Sequence, residues 1–222
     1  MPGVIGQLLP LAVAVALSSV PILAVLVILL ESTRFAVPTL FVIGYVAGLL
    51  VMTTLFALGS RAIPARESAA AQPVVGAAEV VIGIALAAYV AILGIRRRRT
   101  PPREERPRWM LALGRLRPLP ALGLGLALNV RPKSILLAAA AGLVIGSAQL
   151  TASSYAIVLA VYIVIGASSV GGPASFALLR PTKAQRPLGS AERWLLRNRG
   201  TVATIVGVVV GIVIVGNGLT RF

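Results

Sequence analysis

The charged residues of this chain fall in clusters, and the stretches between the clusters are almost wholly apolar. Val4 to Leu30 carries no charge, and neither does Phe35 to Ser60. A helix needs about 20 apolar residues to cross the ~30 Å hydrocarbon core of a bilayer, so each run predicts one transmembrane span. Pro73 to Ile95 predicts a third, interrupted only by Glu79. A basic segment, Arg96 to Pro118, follows, and a fourth apolar stretch begins near Leu119 and carries Arg131 and Lys133. Ser134 to Leu179 is then uncharged for 46 residues, too long for one helix. The polar residues from Gly146-Ser147-Ala148-Gln149 to Ser153-Ser154 predict the turn that ends span four and starts span five. After a second basic segment, Arg180 to Arg199, Gly200 to Thr220 predicts span six.

The expectation is an all-α polytopic membrane protein with six transmembrane helices. Residues 1–95 make a first three-helix half, 96–118 a basic loop, and 119–222 a second half that includes the basic loop 180–199. An odd number of spans per half makes the halves inverted in the membrane. Pro21, in Ser18-Ser19-Val20-Pro21, lies inside span one. Pro132, in Asn129-Val130-Arg131-Pro132-Lys133-Ser134, lies inside span four, 111 residues later and half a chain away. Proline removes a backbone N–H and clashes with the carbonyl one turn back. The freed groups are tolerated at membrane depth only where protein or a water-filled cavity receives them. Interrupted spans at matching positions in a 3+3 inverted repeat point to a transporter's binding site; a plain kink in each helix is the alternative.

Composition supports the membrane reading and adds a direction. Of 222 residues, 58% are hydrophobic and 12% charged, against ~25% charged in soluble domains. The net charge of +15 would suggest nucleic acid in a soluble protein. Here the basic residues sit between spans, so no nucleic-acid partner is expected and the positive-inside rule applies. The connections after spans one, three and five hold 16 Lys and Arg, and the opposite side holds 3. This places the basic loops in the cytoplasm and both termini outside. Both large loops repeat one phrase, Arg108-Trp109-Met110-Leu111 and Arg193-Trp194-Leu195-Leu196. Short interfacial helices with Trp at headgroup depth fit it, either as anchors or to recognise anionic lipid or a cytoplasmic partner.

The candidate substrate-binding residues are Ser18, Ser19, Pro21, Glu79, Asn129, Arg131, Pro132 and Lys133. If span four starts near Leu119, Arg131 lies about 18 Å along it, close to mid-membrane. Cations there are rare, costly and functional by default, and would suit an anionic headgroup or carboxylate. If the span starts at Pro132 instead, both cations sit at the cytoplasmic edge. Glu79 falls about 9 Å from the outer end of span three. It could pair with Arg131, carry a coupling proton, bind a cationic substrate, or simply bond a neighbouring helix. Gly44-x-x-x-Gly48, Gly142-x-x-x-Gly146 and Gly207-x-x-x-Gly211 predict close helix packing. Gly171-Gly172-Pro173 predicts a further break, and a hinge, near the end of span five. With no Cys and no His, thiol chemistry, His-based triads and the usual zinc, copper or haem ligands are excluded. No Gly-x-x-x-x-Gly-Lys-Ser/Thr run is present either. Neither an enzyme, nor a cofactor, nor a metal site is expected.

Three plus three inverted spans, the Pro break in span one, and the Asn129…Pro132-Lys133 element in span four resemble the lysine-exporter superfamily. The small, Arg-rich, Cys-free chain with its long basic central loop is most similar to the peptidoglycolipid-addressing (GAP) or sulfolipid-addressing proteins of actinobacteria. The resemblance covers nearly the whole chain. Here Val130-Arg131 separates Asn129 from Pro132-Lys133, where the superfamily has a continuous Asn-Pro-Lys. The resemblance implies export of cell-envelope lipid or glycolipid across a bacterial plasma membrane. The partners it implies are membrane lipids, a larger lipid-export complex and a second copy of the chain. A small-solute exporter of the amino-acid type and a non-transporting accessory subunit are the alternatives.

Overall fold

A computed structural model describes residues 2–32, 34–62, 84, 88, 92, 113, 114, 116–148 and 150–219. All regular structure among the described residues is helical: α1 (Pro2–Ala16), α2 (Ser19–Glu31), α3 (Ala36–Ala62), α4 (Pro118–Ala127) with a 3-10 turn (Leu128–Val130), α5 (Pro132–Ser147), α6 (Ala152–Leu179) and α7 (Pro181–Leu219). The chain forms two compact units, Met1–Ala62 with Glu104–Arg197, and Ile63–Arg103 with Asn198–Phe222.

Among the described residues, two helices are long and apolar enough to cross a membrane, Ala36–Ser60 and Ala152–Leu179. Up to four spans result if each of two bent pairs counts as one: α1 with α2, bent by 49°, and α4 with α5, bent by 69°. Large apolar side chains cover the outside, among them Leu55, Leu119, Leu136 and Val164. Water would not tolerate such a surface on a monomer. Lipid is the fitting solvent.

The first bend does not fall at Pro21. It falls at Leu17-Ser18, where Ser18 is extended (φ −74°, ψ 108°) and caps α2. Pro21 then occupies the third position of the new helix, where a backbone N–H has no intrahelical acceptor and its loss costs nothing. The first bond of α2 runs from the Ile22 N–H to the Ser18 carbonyl, at 3.5 Å. The second bend falls at Arg131, also extended (φ −73°, ψ 146°), with Pro132 in the first position of α5. That position suits proline's fixed φ and missing donor.

Glycines set the packing of the first unit. A Cβ on Gly44 would run into the backbone of Leu122, with Leu122 C at 2.9 Å. One on Gly125 would meet Tyr45 N at 2.6 Å, and one on Gly142 would meet Ala57 N at 2.8 Å. A Cβ on Gly146 would collide with Ser60 and Ala57. The Gly44/Gly48 and Gly142/Gly146 pairs are therefore close-approach faces, as small residues four apart allow. These contacts also fix direction. Leu122, Gly125 and Asn129 lie against residues 41–48 of α3, and Gly142 and Gly146 against residues 56–60. The α4–α5 pair thus follows α3 in parallel from one end towards the other, so it is a broken span and not a hairpin.

The α1–α2 pair follows α6 in the same manner. Gly166, midway along α6, approaches Val15 near the end of α1, with Val15 Cγ1 3.2 Å from where its Cβ would be. Further down, Ala177 of α6 and Leu29 and Leu30 of α2 pack against one cluster of Leu26 of α2 with Ala184 and Leu188 of α7. Leu23 through Ile28 are all buried, so α2 is enclosed on every side.

Two predictions are corrected. Gly171-Gly172-Pro173 makes no break, since α6 runs continuously to Leu179 with Pro173 inside it. No atom lies within 4 Å of where a Cβ on Gly171 or Gly172 would be, so the local backbone has room to absorb the proline. Membrane helices tolerate proline in this way. Pro173→Ala should accordingly raise the thermal midpoint of the purified protein, by on the order of 1 kcal/mol of stability. A lower midpoint would instead mark the proline as a required bend. The second correction concerns the basic segment Arg180–Arg199, which is helical from Pro181 and runs on as α7 to Leu219. Ala184, Leu188, Glu192, Leu195 and Leu196 are buried on one face, while Lys183, Arg186, Arg193, Trp194 and Arg197 are exposed. The segment is amphipathic and carries an exposed Trp194, as the sequence suggested, but as the start of one long helix instead of a short one.

In the second unit, Ile84, Ala88 and Ile92 are helical and exposed, and Gly200–Val209 is an apolar helical stretch shorter than a span. Glu79, the rest of predicted span three, and Arg108-Trp109 lie outside the described residues.

Candidate functional site

The two breaks gather most of the predicted residues. At the first, Ser18 is buried and caps α2 without a side-chain bond to the helix. Ser19 is half-buried and Pro21 buried beside it. At the second, Asn129 is only 2% exposed. Its Nδ2 donates to the Tyr45 carbonyl at 3.1 Å and to the Gly125 carbonyl at 3.0 Å. Ser134 Oγ donates to the Leu128 carbonyl at 3.2 Å. The backbone carbonyls freed by the break are thus partly answered by side chains, as membrane burial demands.

This changes the role of Asn129. Both of its amide hydrogens are spent on backbone carbonyls, one on its own segment and one on α3. It pins the break to α3 and is no longer a free donor for a ligand. Arg131, Pro132 and Lys133, by contrast, are exposed. Arg131 caps α5 with no side-chain bond to it. The first turn of a helix already carries partial positive charge, so two cations there concentrate one sign at a single bend.

Depth follows from the contacts. Gly48 touches Asn129, and it lies at the middle of the Ala36–Ser60 span. About 18 Å of helix, at ~1.5 Å per residue, separates it from either end. The second break therefore lies midway along this helix, as far from one end as from the other. Leu49, the next residue of α3, has Cδ1 3.8 Å from where a Cβ of Gly166 would be, and Gly166 in turn approaches Val15. One turn of α3 thus connects the second break to the helix end that precedes the first. Glu79 falls outside the described residues, so its place relative to Arg131 is not among them.

Four buried polar side chains were not anticipated: Tyr45, Thr53, Tyr162 and Glu192. Thr53 Oγ1 and the Tyr162 hydroxyl face each other, with no other hydrogen-bond partner among the described residues. Their signal in the sequence was position. Tyrosine normally sits at the edge of a span, whereas Tyr162 stands eleven residues into a 28-residue one.

No curated protein and no solved structure is significantly similar to this chain. One family model does match, that of Sap, the sulfolipid-1-addressing protein, over residues 8–220. The matched region runs through both breaks, the glycine contacts between α3 and the α4–α5 pair, and the amphipathic start of α7. A membrane protein with this broken-span core, matched over nearly its whole length, belongs to the sulfolipid-1-addressing protein family.

Proposed function

We propose that this chain exports an anionic envelope lipid or glycolipid across the inner membrane, by rocking of two inverted three-span halves about the breaks at Ser18 and Arg131. The family's name associates its members with the addressing of a sulfolipid, and a sulfate-bearing amphiphile is the type of cargo that two mid-depth cations would suit. The observation that carries the reading is reciprocal packing. The broken pair of the first half lies along α6, the straight helix of the second, and the broken pair of the second half lies along α3, the straight helix of the first. Halves interlocked in this way can tilt against each other around sites at mid-depth.

Parallel order supports six crossings. The α4–α5 span and α3 run in the same direction, an order that the predicted third span, as a return crossing, would supply. On this reading the connections after spans one and five share a face, and the ends of α2 and α6 do line a common cavity. The positive-inside rule puts that face in the cytoplasm.

Surface-lipid analysis of a deletion strain tests the reading, and loss of a sulfated or otherwise anionic surface lipid is expected. Complementation with Arg131→Ala should restore less than a tenth of wild-type export, on the scale of one lost charge-assisted contact. Glu79→Gln, tested beside it, reports on the coupling role. An unchanged lipid profile in the deletion strain rejects lipid export, and wild-type export by both variants rejects the site. The basic outer face of α7 favours one second reading, an accessory subunit that docks on a larger exporter. Lipid movement by the purified protein alone in liposomes rules that out.

A further inference from the structure

A cavity of about 190 Å³ opens at the foot of the first unit, where the α2–α3 connection meets the α6–α7 connection. Its walls are apolar, with Leu29, Leu178 and Leu188 among them, and its polar groups are Ser32, Arg34 and Gln185. No acidic side chain lines it among the described residues, and Arg34 is its only cation. At ~30 Å³ per water-sized group, the volume takes about six such groups, enough for the upper methylenes of one acyl chain.

Its placement matters more than its size. Arg34 and Phe35 immediately precede the span that starts at Ala36, and Leu178 ends the span that closes at Leu179. The cavity therefore sits at the edge of the hydrocarbon layer, where chain meets headgroup. Phe35 on its wall and Leu179, next to the lining Leu178, are 64% and 81% exposed, so apolar surface continues from the cavity to the outside. Arg34 is held ready. Ser32 Oγ accepts from the Arg34 N–H at 3.3 Å and donates to the Arg34 carbonyl at 3.2 Å, which fixes the backbone while the side chain stays exposed. Arg180 and Lys183, both exposed, flank the same turn.

We propose that this cavity binds one anionic membrane lipid, its headgroup on the Arg34 guanidinium and the start of one acyl chain against Leu29, Leu178 and Leu188. It is a loading site on the basic face, distinct from the mid-depth breaks. In that role it rests on the lipid-export reading, although binding itself can be measured without it. Bidentate guanidinium contact suits a phosphate or sulfate group, and the apolar wall separates a lipid from a free anion.

The test is lipid retention. The full-length protein is purified from mixed phosphatidylglycerol and phosphatidylcholine, and bound lipid is counted by native mass spectrometry. Wild type should keep about one phosphatidylglycerol per chain and discriminate against phosphatidylcholine. Arg34→Gln should weaken retention about tenfold, and Leu178→Trp, which fills the cavity from a partly exposed position, should abolish it. Arg193→Gln, on the outer face of α7, should retain it. Equal retention by wild type and both cavity variants overturns the site and leaves lipid export standing. Displacement by inorganic phosphate as complete as by phosphatidylglycerol reduces it to an anion site and overturns the acyl-chain assignment. Retention as predicted, with an unchanged surface-lipid profile in the deletion strain, keeps the site and rejects export.

Discussion

Asn129→Asp is expected to be the most damaging single-atom-scale change in the first unit. The native amide donates twice, to the carbonyls of Tyr45 and Gly125 at 3.1 and 3.0 Å. An ionised carboxylate in its place offers no donor and faces two carbonyl oxygens. It also carries a full charge at mid-depth, which costs ~2.5–3.5 kcal/mol on insertion scales. Protonation removes the charge but supplies one O–H for two acceptors. Asn129→Ala loses both bonds without adding a charge and should cost about 1–2 kcal/mol, since membrane-buried hydrogen bonds are individually modest. The order wild type, alanine, aspartate should appear in the midpoint of reversible unfolding in mixed micelles. Aspartate as stable as alanine would mean that water reaches position 129, and the buried-pin role would be wrong.

The second large effect is expected at Gly125. A Cβ there meets backbone atoms, Tyr45 N at 2.6 Å and Gly44 C at 3.0 Å. Backbone cannot rotate away as a side-chain tip can, so Gly125→Val must push α4 off α3. Overpacking of this kind costs ~1–3 kcal/mol or more, and the Asn129 bonds sit one turn further along the same contact. The control lies two residues away. A Cβ on Gly123 has no neighbour within 4 Å. Gly123→Val carries the same change in helix propensity without the clash, and should leave stability within about 0.5 kcal/mol. Equal loss in both variants would show that propensity, not close approach, is what the glycines supply.

The membrane character of the chain was legible because it depends on bulk: three uncharged runs of more than 25 residues leave no other solvent. The breaks were legible because proline has one physical meaning inside a helix, although Pro21 marked its break only to within a few residues. The helix restarts upstream so that the proline lands where no donor is needed. Gly44, Gly48, Gly142 and Gly146 were also readable, since closely packed backbones need hydrogen in place of Cβ. What could not be read was which face meets which helix. In water a buried face differs from an exposed one in polarity, but in lipid both are apolar, and the periodic signal disappears. Asn129 was ambiguous for a related reason. A lone amide at membrane depth looks the same in sequence whether it awaits a ligand or ties down a carbonyl. Pro173 misled because an unpacked stretch of helix can absorb it.

The position of the second break midway along α3 has an electrical consequence. With α3 crossing the bilayer from Ala36 to Ser60, the backbone at Arg131 would lie within the voltage drop across the membrane. An anion drawn to it from either face traverses about half of the potential, on the order of 1 kcal/mol per 100 mV. In a cell whose interior is negative, that field pushes anions outward over both halves of the path. Under the export proposed above, a bend held by Pro132 and Asn129 would thereby give the membrane potential a grip on an anionic cargo, and give its movement a direction.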